Sequence, residues 1–164
     1  SSDLVELVAP SLELDPDEAR ARLDRLKAEL PAALTRAMRP HPGVRGALEA
    51  AAARGLALAA LSDFDPAPKL RFLGLEDLPW SAMVGAEAQG ALKPQRAPFD
   101  RLVELLGVPR EAVVHVGDRE EIDVRGALDA GLRAWRFAAA GEPSAAEVVF
   151  SRWRFDLFAP LVPA

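Results

Sequence analysis

Residues 112–131, AVVHVGDREEIDVRGALDAG, decide the fold. A run of apolar, mostly β-branched residues, interrupted only by His115, stops at Gly117, and Asp118 follows at once. Such a run is typical of a buried parallel strand, and open α/β sheets bind ligands outside the carboxyl ends of their strands. Asp118 and Asp123, which opens a stretch with helical spacing, therefore stand where a ligand site is expected. Two carboxylates there suit a hard cation such as Mg²⁺.

Composition and charge narrow the class of protein. Hydrophobic residues make up 50% of the 164 residues, so the chain can build a core and is not disordered as a whole. The net charge of −5 argues against nucleic acid as the main partner, and the absence of cysteine excludes disulfides. No apolar run reaches the ~20 residues that span a bilayer, and no signal peptide is evident. We therefore expect a soluble, cytoplasmic protein without membrane contacts.

Two parts of the chain differ in pattern. Residues 1–38 read as helical, with Asp15-Pro16-Asp17-Glu18 as a helix start: a capping Asp, Pro at the first helical position, and acids favoured by the macrodipole. A turn rich in proline follows at residues 39–43. We predict a helical N-terminal segment at 1–38 and an α/β core at 39–164.

Strands and helices alternate from residue 44 onwards. Apolar runs predict strands, and amphipathic or alanine-rich segments closed by glycine predict helices. This alternation indicates an α/β fold with a mostly parallel sheet and helices on both faces. The predicted strands are 56–61, 82–86, 112–116, 132–137 and 147–150, and the predicted helices are 44–54, 67–73, 98–106 and 123–130.

Three motifs in this order resemble those of the haloacid dehalogenase (HAD) superfamily, whose members are mostly phosphatases. The likeness covers roughly residues 39–137. A strand running into Ser62-Asp63-Phe64-Asp65 is similar to the family's second motif, Lys93-Pro94 to the third, and Gly117-Asp118 with Asp123 to the fourth. The resemblance implies a three-layer, Rossmann-like HAD fold in which residues 1–38 are a remnant of the cap domain.

The resemblance also implies a role for each motif residue. Ser62 would hydrogen-bond the phosphoryl group, and Lys93 would neutralise charge on that group and on the nucleophile. Asp118 would bind Mg²⁺, and Asp123 would anchor the lysine. Phosphoryl transfer depends mainly on positioning and charge neutralisation, which these groups would supply. The implied activity is Mg²⁺-dependent hydrolysis of a small phosphorylated molecule.

The nucleophile of the family has no clear counterpart. Its first motif is a strand running into Asp-x-Asp-x-Thr, and no such segment lies upstream of Ser62. Asp15 and Asp17 have the spacing, but no convincing strand precedes them and no Thr follows, so the candidate nucleophile Asp15 reads better as a helix cap. We expect little or no turnover from these residues alone. The alternative is a non-catalytic, HAD-derived binding or scaffold module.

The absent strand would lie in the centre of the family's sheet, between the strands predicted at 56–61 and 113–116. A gap should remain there unless those two strands pair directly, or residues 3–9 or a partner chain fill it. An unpaired strand edge invites association with other chains. A homodimer that completes the sheet is therefore one predicted solution.

Several residues have a plainer interpretation. Asp118 could cap the following helix, and an N-cap role explains Asp123 almost as well as support for Lys93. His115 alternates with valines on a buried strand and reads as a core histidine with its hydrogen bonds satisfied. Asp63 stands where the family commonly has Asn, and its charge disfavours phosphate unless a cation offsets it.

Overall fold

The computed structural model describes Asp15, Asp17, Glu18, Ala21, Arg25 and residues 39–162. The chain divides into two compact units, Ser1–Arg39 and Pro40–Ala164, which are taken separately. In the first unit the described residues from 17 to 25 are helical. The Asp15 carboxylate accepts a hydrogen bond from the backbone N–H of Asp17 at 2.9 Å, which is the contact of an N-cap aspartate. The assignment of residues 1–38 to a cap remnant stays a prediction.

The second unit alternates strands with helices along the chain. The helices are α1 (Val44–Ala53), α2 (Pro66–Phe72), α3 (Arg96–Leu106) and α4 (Arg125–Asp129), and the strands are β1 (Leu58–Ser62), β2 (Trp80–Gly85), β3 (Val114–Gly117), β4 (Arg133–Phe137) and β5 (Val148–Phe150). Short 3-10 turns lie at Ala86–Gln89, Arg110–Ala112 and Ala159–Leu161, and a π-helix lies at Glu120–Val124. This order confirms the predicted α/β class.

Every described strand pairing is parallel. β1 pairs with β2, and β4 lies between β3 and β5 in a second sheet. Three buried clusters form the core: one around Trp135, covered by α1 and the C-terminal residues, one around Phe99 and α4, and a small one in which α3 packs on β2. Ala134 and Trp135 are consecutive on β4 and belong to different clusters. Because successive side chains of a strand point to opposite faces, helices cover both faces, as in a three-layer fold.

β1 and β3 do not pair with each other, and no described strand lies between them. Side chains of the two strands, and of Val113 just before β3, nevertheless meet in two of the clusters. Ala60 packs against the Trp135 cluster together with Val114, and Leu61 packs against the cluster that contains Val113. The apolar core is therefore continuous on both faces across a place where the backbone ladder, in the described residues, is interrupted. The sequence predicts a gap at this position, and residues 3–9, one of the segments that would fill it, lie outside the described residues.

Five predicted boundaries are wrong by two or three residues. β2 begins at Trp80 rather than at 82, and α3 begins at Arg96 rather than at 98. β1 begins at Leu58 rather than at 56, because the backbone N–H of Leu56 bonds to the carbonyl of Ala51 and closes α1. Residue 112 belongs to a turn that precedes β3. The helical segment after β3 begins at Glu120 rather than at 123, because its first turn is a π-helix. Among the described residues, no helix is both long enough and apolar enough to cross a membrane.

Candidate functional site

A buried ion pair forms the centre of the site. The Lys93 ammonium group lies 2.6 Å from Oδ1 of Asp123, and the two side chains are only 7% and 4% exposed. Lys93 belongs to the loop before α3, whereas Asp123 belongs to the π-helix after β3. The pair therefore joins two loops that both follow strands at the carboxyl edge of the fold. The alternative that Asp123 is a helix N-cap is wrong, because the helical segment begins three residues earlier.

Asp123 is held ionised by its neighbours. Its second carboxylate oxygen accepts the backbone N–H of Arg119 at 3.1 Å. Burial alone would raise the pKa of this carboxyl, but the facing imidazole of His115 and the ammonium group of Lys93 outweigh it. The pKa of Asp123 therefore lies well below its ordinary value.

The low pKa of Asp123 predicts a specific pH dependence of stability. A carboxylate whose folded pKa is depressed stabilises the fold above its unfolded pKa, and this contribution is lost as the pH falls toward the folded pKa. The difference in unfolding free energy between wild type and Asp123→Asn should be constant from pH 7 to pH 5 and shrink below about pH 4. Urea unfolding at a series of pH values measures it. A difference that already shrinks near pH 6 would contradict the assignment.

His115 is buried as the sequence predicts, but its hydrogen bonding differs from the prediction. It is buried and packs edge-on against Phe99 at a centroid distance of 5.3 Å. Its Nε2 lies 3.7 Å from Oδ1 of Asp123, too far for a hydrogen bond, and has no hydrogen-bond partner among the described residues. The prediction of a satisfied core histidine is therefore wrong for this nitrogen.

Asp63 ties three loops together. Its Oδ1 accepts the backbone N–H of Lys93 at 3.2 Å, and its Oδ2 accepts from Nη2 of Arg119 at 3.1 Å. Its own backbone carbonyl accepts the N–H of Glu87 at 3.0 Å. The residue directly after β1 is thus bonded to the loops that follow β2 and β3.

Arg119 is the cation that offsets the charge of Asp63. Its Nε also lies 3.6 Å from Oδ2 of Asp123, so the guanidinium group stands between two carboxylates. Burial alone would lower the pKa of Arg119, but the hydrogen bond to Asp63 and the charges of Asp123 and Asp118 outweigh it. The pKa of Arg119 is therefore raised, and the group stays protonated. Sequence reasoning missed this role. The signal was available in the unusual Asp63, which required a positive partner.

Ser62 is buried at the end of β1 and has a cationic neighbour. Its hydroxyl oxygen accepts a hydrogen bond from Nζ of Lys69 at 3.0 Å. A hydroxyl that accepts in this way keeps its own proton for another acceptor. Lys69, on α2, was not singled out from the sequence, because a lysine in the last turn of a helix usually has the simpler role of pairing with the helix dipole.

Asp118 is exposed directly after β3, and its backbone carbonyl accepts Nε of Arg136 at 3.2 Å. No side chain caps the helical segment that follows, so the alternative of Asp118 as its cap is wrong. Within the described residues, no group of three or more His, Asp or Glu side chains is arranged to hold a metal ion. Asp63 and Asp123 already pair with cations. These residues therefore do not make a complete Mg²⁺ site.

The contacts thus link Asp63, Lys93, Arg119 and Asp123 directly, while Ser62 and Asp118 are their chain neighbours. Asp15 belongs to the other unit. A hydroxyl, ammonium and guanidinium groups and carboxylates stand together where parallel strands end. This fold and this set of groups define a hydrolase-like α/β domain.

Comparison with known proteins names the family. A family model described as haloacid dehalogenase-like hydrolase matches residues 5–131, and the chain belongs to this family. Over 96 residues, which are 57% of this chain, the sequence is 34% identical to haloacid dehalogenase-like hydrolase domain-containing protein 3 of Xenopus laevis. The match covers only 39% of that relative's length.

Solved structures of this family share the fold. A HAD phosphatase from Thermococcus onnurineus matches with a TM-score of 0.70 and 22% identity, over 98% of this chain and 87% of that one. A 2-haloacid dehalogenase from Pseudomonas syringae pv. Tomato DC3000 matches with a TM-score of 0.69 and 24% identity, over 98% and 68% of the two chains. At these identities the likeness concerns the fold, and these two proteins have different activities by name.

Proposed function

We propose that this site is the phosphoryl-binding part of a phosphomonoester hydrolase of the Mg²⁺-dependent type, acting on a small phosphorylated molecule. The observation that carries the proposal is the buried Lys93–Asp123 pair, held at the strand ends by Asp63. A lysine is seldom buried unless it is paired. Here Asp123 holds the ammonium group, and Asp63, the residue after Ser62, holds the backbone N–H of the same lysine.

The residues of the chain would act by charge and position. Lys93, kept cationic by Asp123, would neutralise charge on the phosphoryl group, and the Ser62 hydroxyl would donate its proton to a phosphoryl oxygen. Asp118 is the described residue that would hold Mg²⁺, and the ion, when bound, supplies further charge neutralisation. A complete site needs a nucleophilic aspartate and additional oxygen ligands. We propose that both come from a strand placed between β1 and β3.

The first test concerns turnover by residues 1–164 alone. We expect no hydrolysis of an aryl phosphate with Mg²⁺, and no stable beryllium fluoride adduct in a mass spectrum, because the adduct requires a nucleophilic aspartate. An extended chain that begins with an apolar strand and Asp-x-Asp-x-Thr should gain both properties. The matched control carries Asn in place of the first added Asp. Turnover by the unextended chain that is lost on Asp118→Asn would contradict the proposed need for an added aspartate.

The second candidate function is a non-catalytic binding module. It is favoured by one observation: two of the three site carboxylates already pair with Lys93 or Arg119. The same experiment separates the candidates, because a binding module would bind phosphate and still form no adduct after extension.

A homodimer that completes the sheet is a further proposal. Light scattering at two protein concentrations should then show a mass that rises with concentration.

A further inference from the structure

Arg119 and Asp63 differ from the rest of the site in how accessible they are. The Arg119 side chain is 49% exposed and that of Asp63 is 23% exposed, whereas Lys93 and Asp123 are almost completely buried. The Arg119–Asp63 pair is therefore the solvent-exposed part of the site. An anion entering from solvent would meet this pair before it reached the Lys93 ammonium group.

Within the described residues, the buried lysine has two of its three N–H donors left for a ligand, fewer than Arg119 has. Its ammonium group donates to Asp123 at 2.6 Å. The Arg119 guanidinium carries five N–H donors in a planar fork, and the described residues give it one side-chain hydrogen bond, to Asp63. Four of its five N–H donors therefore make no hydrogen bond among the described residues, in a side chain that is 49% exposed. Arginine binds phosphate and carboxylate through the same paired geometry.

Asp63 positions the guanidinium group of Arg119. One oxygen is fixed by the backbone N–H of Lys93, and the other accepts from Arg119. An asparagine could still accept from the backbone of Lys93, but it would offer no charge to Arg119. The aspartate and the arginine are therefore complementary: the carboxylate positions the cation, and the cation removes the repulsion that the carboxylate would exert on a phosphate.

From this geometry we infer that Arg119 is a substrate-binding residue, whose remaining N–H donors bind an oxygen of the phosphoryl group, and that Asp63 is its positioning residue. The inference rests on the proposed phosphate site. The rival role for Arg119 is that of a counter-ion, which balances Asp63 and never touches the substrate. The two roles differ in what happens when both charges are removed together.

A double-mutant cycle with inorganic phosphate separates the two roles. Phosphate is titrated into ¹⁵N-labelled full chain, and dissociation constants are read from amide shifts for wild type, Arg119→Gln, Asp63→Asn and the double variant. A ligand arginine positioned by Asp63 predicts that Arg119→Gln weakens binding about tenfold or more, that Asp63→Asn also weakens it because the guanidinium loses its support, and that the double variant stays weak. A counter-ion predicts that the double variant, whose net charge is that of wild type, recovers wild-type affinity.

The matched control is Arg125→Gln. Arg125 is 55% exposed and pairs with Glu121 at 3.4 Å in the same helical region, so its loss removes an equal charge outside the site. We expect its phosphate affinity to stay within about twofold of wild type, because exposed charges at a distance are screened by salt. The Nε–H resonance of Arg119 should also shift with phosphate in the wild-type protein, which a structural role would not produce.

The outcomes separate this inference from the proposed function. If wild type binds phosphate and either Arg119→Gln is unaffected or the double variant recovers, the role of Arg119 is overturned while the phosphate site stands. If wild type shows no saturable phosphate binding, both are overturned. The inference is supported if Arg119→Gln and the double variant bind phosphate weakly and Arg125→Gln binds it with the affinity of wild type.

Discussion

Replacing Asp123 by asparagine is expected to lower the free energy of unfolding by about 3–5 kcal/mol, because it leaves the Lys93 ammonium group buried without its countercharge. The two side chains are 4% and 7% exposed, so water cannot take over the role of the lost carboxylate. The backbone N–H of Arg119 loses a charged acceptor as well. Urea unfolding at pH 7, followed by circular dichroism, measures the change.

The matched control for this substitution is Asp77→Asn. Asp77 also pairs with a cation at 2.6 Å, the guanidinium of Arg45, but its side chain is 64% exposed. Water and salt screen such a pair, so the control should unfold at nearly the wild-type urea concentration. If Asp123→Asn and Asp77→Asn have equal effects, the Lys93–Asp123 pair is not the buried centre of this site.

Replacing Gly117 by alanine is the second substitution with a large expected effect. A Cβ at this position would lie 2.6 Å from Cγ and 2.8 Å from Oδ2 of Asp123, which is closer than real contacts allow. Either the strand end or the carboxylate must move, and overpacking of this kind costs about 1–3 kcal/mol. We also expect phosphate affinity to fall, since a displaced Asp123 no longer holds Lys93. Urea unfolding and phosphate titration check the two parts.

Gly46 provides the comparison for Gly117→Ala. It lies within α1, and a Cβ there would meet nothing within 4 Å. Because alanine favours the helix, Gly46→Ala should raise the unfolding free energy by about 0.5–1 kcal/mol. The two Gly→Ala changes should therefore have opposite signs. A stabilising Gly117→Ala would show that Asp123 is not packed against this strand end.

The parts of the fold that depend on local pattern were predictable from the sequence. The run before Gly117 has the apolar, mostly β-branched composition that is typical of a buried strand. The order of the motifs placed Asp63, Lys93 and Asp123 after successive strands. The α/β class and the family follow from these features and are confirmed. Boundaries were less predictable, because capping of α1 by Leu56 and the π-turn after Arg119 depend on backbone bonds that no residue type specifies.

The polar contacts of the site were less accessible from the sequence. Arg119 pairs with Asp63, 56 residues earlier, and Lys69 reaches back to Ser62 at the end of β1. A long, flexible cation can take many partners. The sequence also could not predict that Nε2 of His115 has no hydrogen-bond partner among the described residues, because a histidine on a buried strand is usually hydrogen-bonded. Such features depend on which loops the tertiary fold brings together.

The interruption of the backbone ladder between β1 and β3, in the part of the chain that the structure describes, has a practical consequence. Both apolar faces are already assembled around it, so an inserted segment would have to supply only a backbone ladder and a few side chains. If the proposed inserted strand restores hydrolysis, the two pieces would serve as a split reporter, in which a short peptide fused to a bait protein switches on a colour-forming reaction.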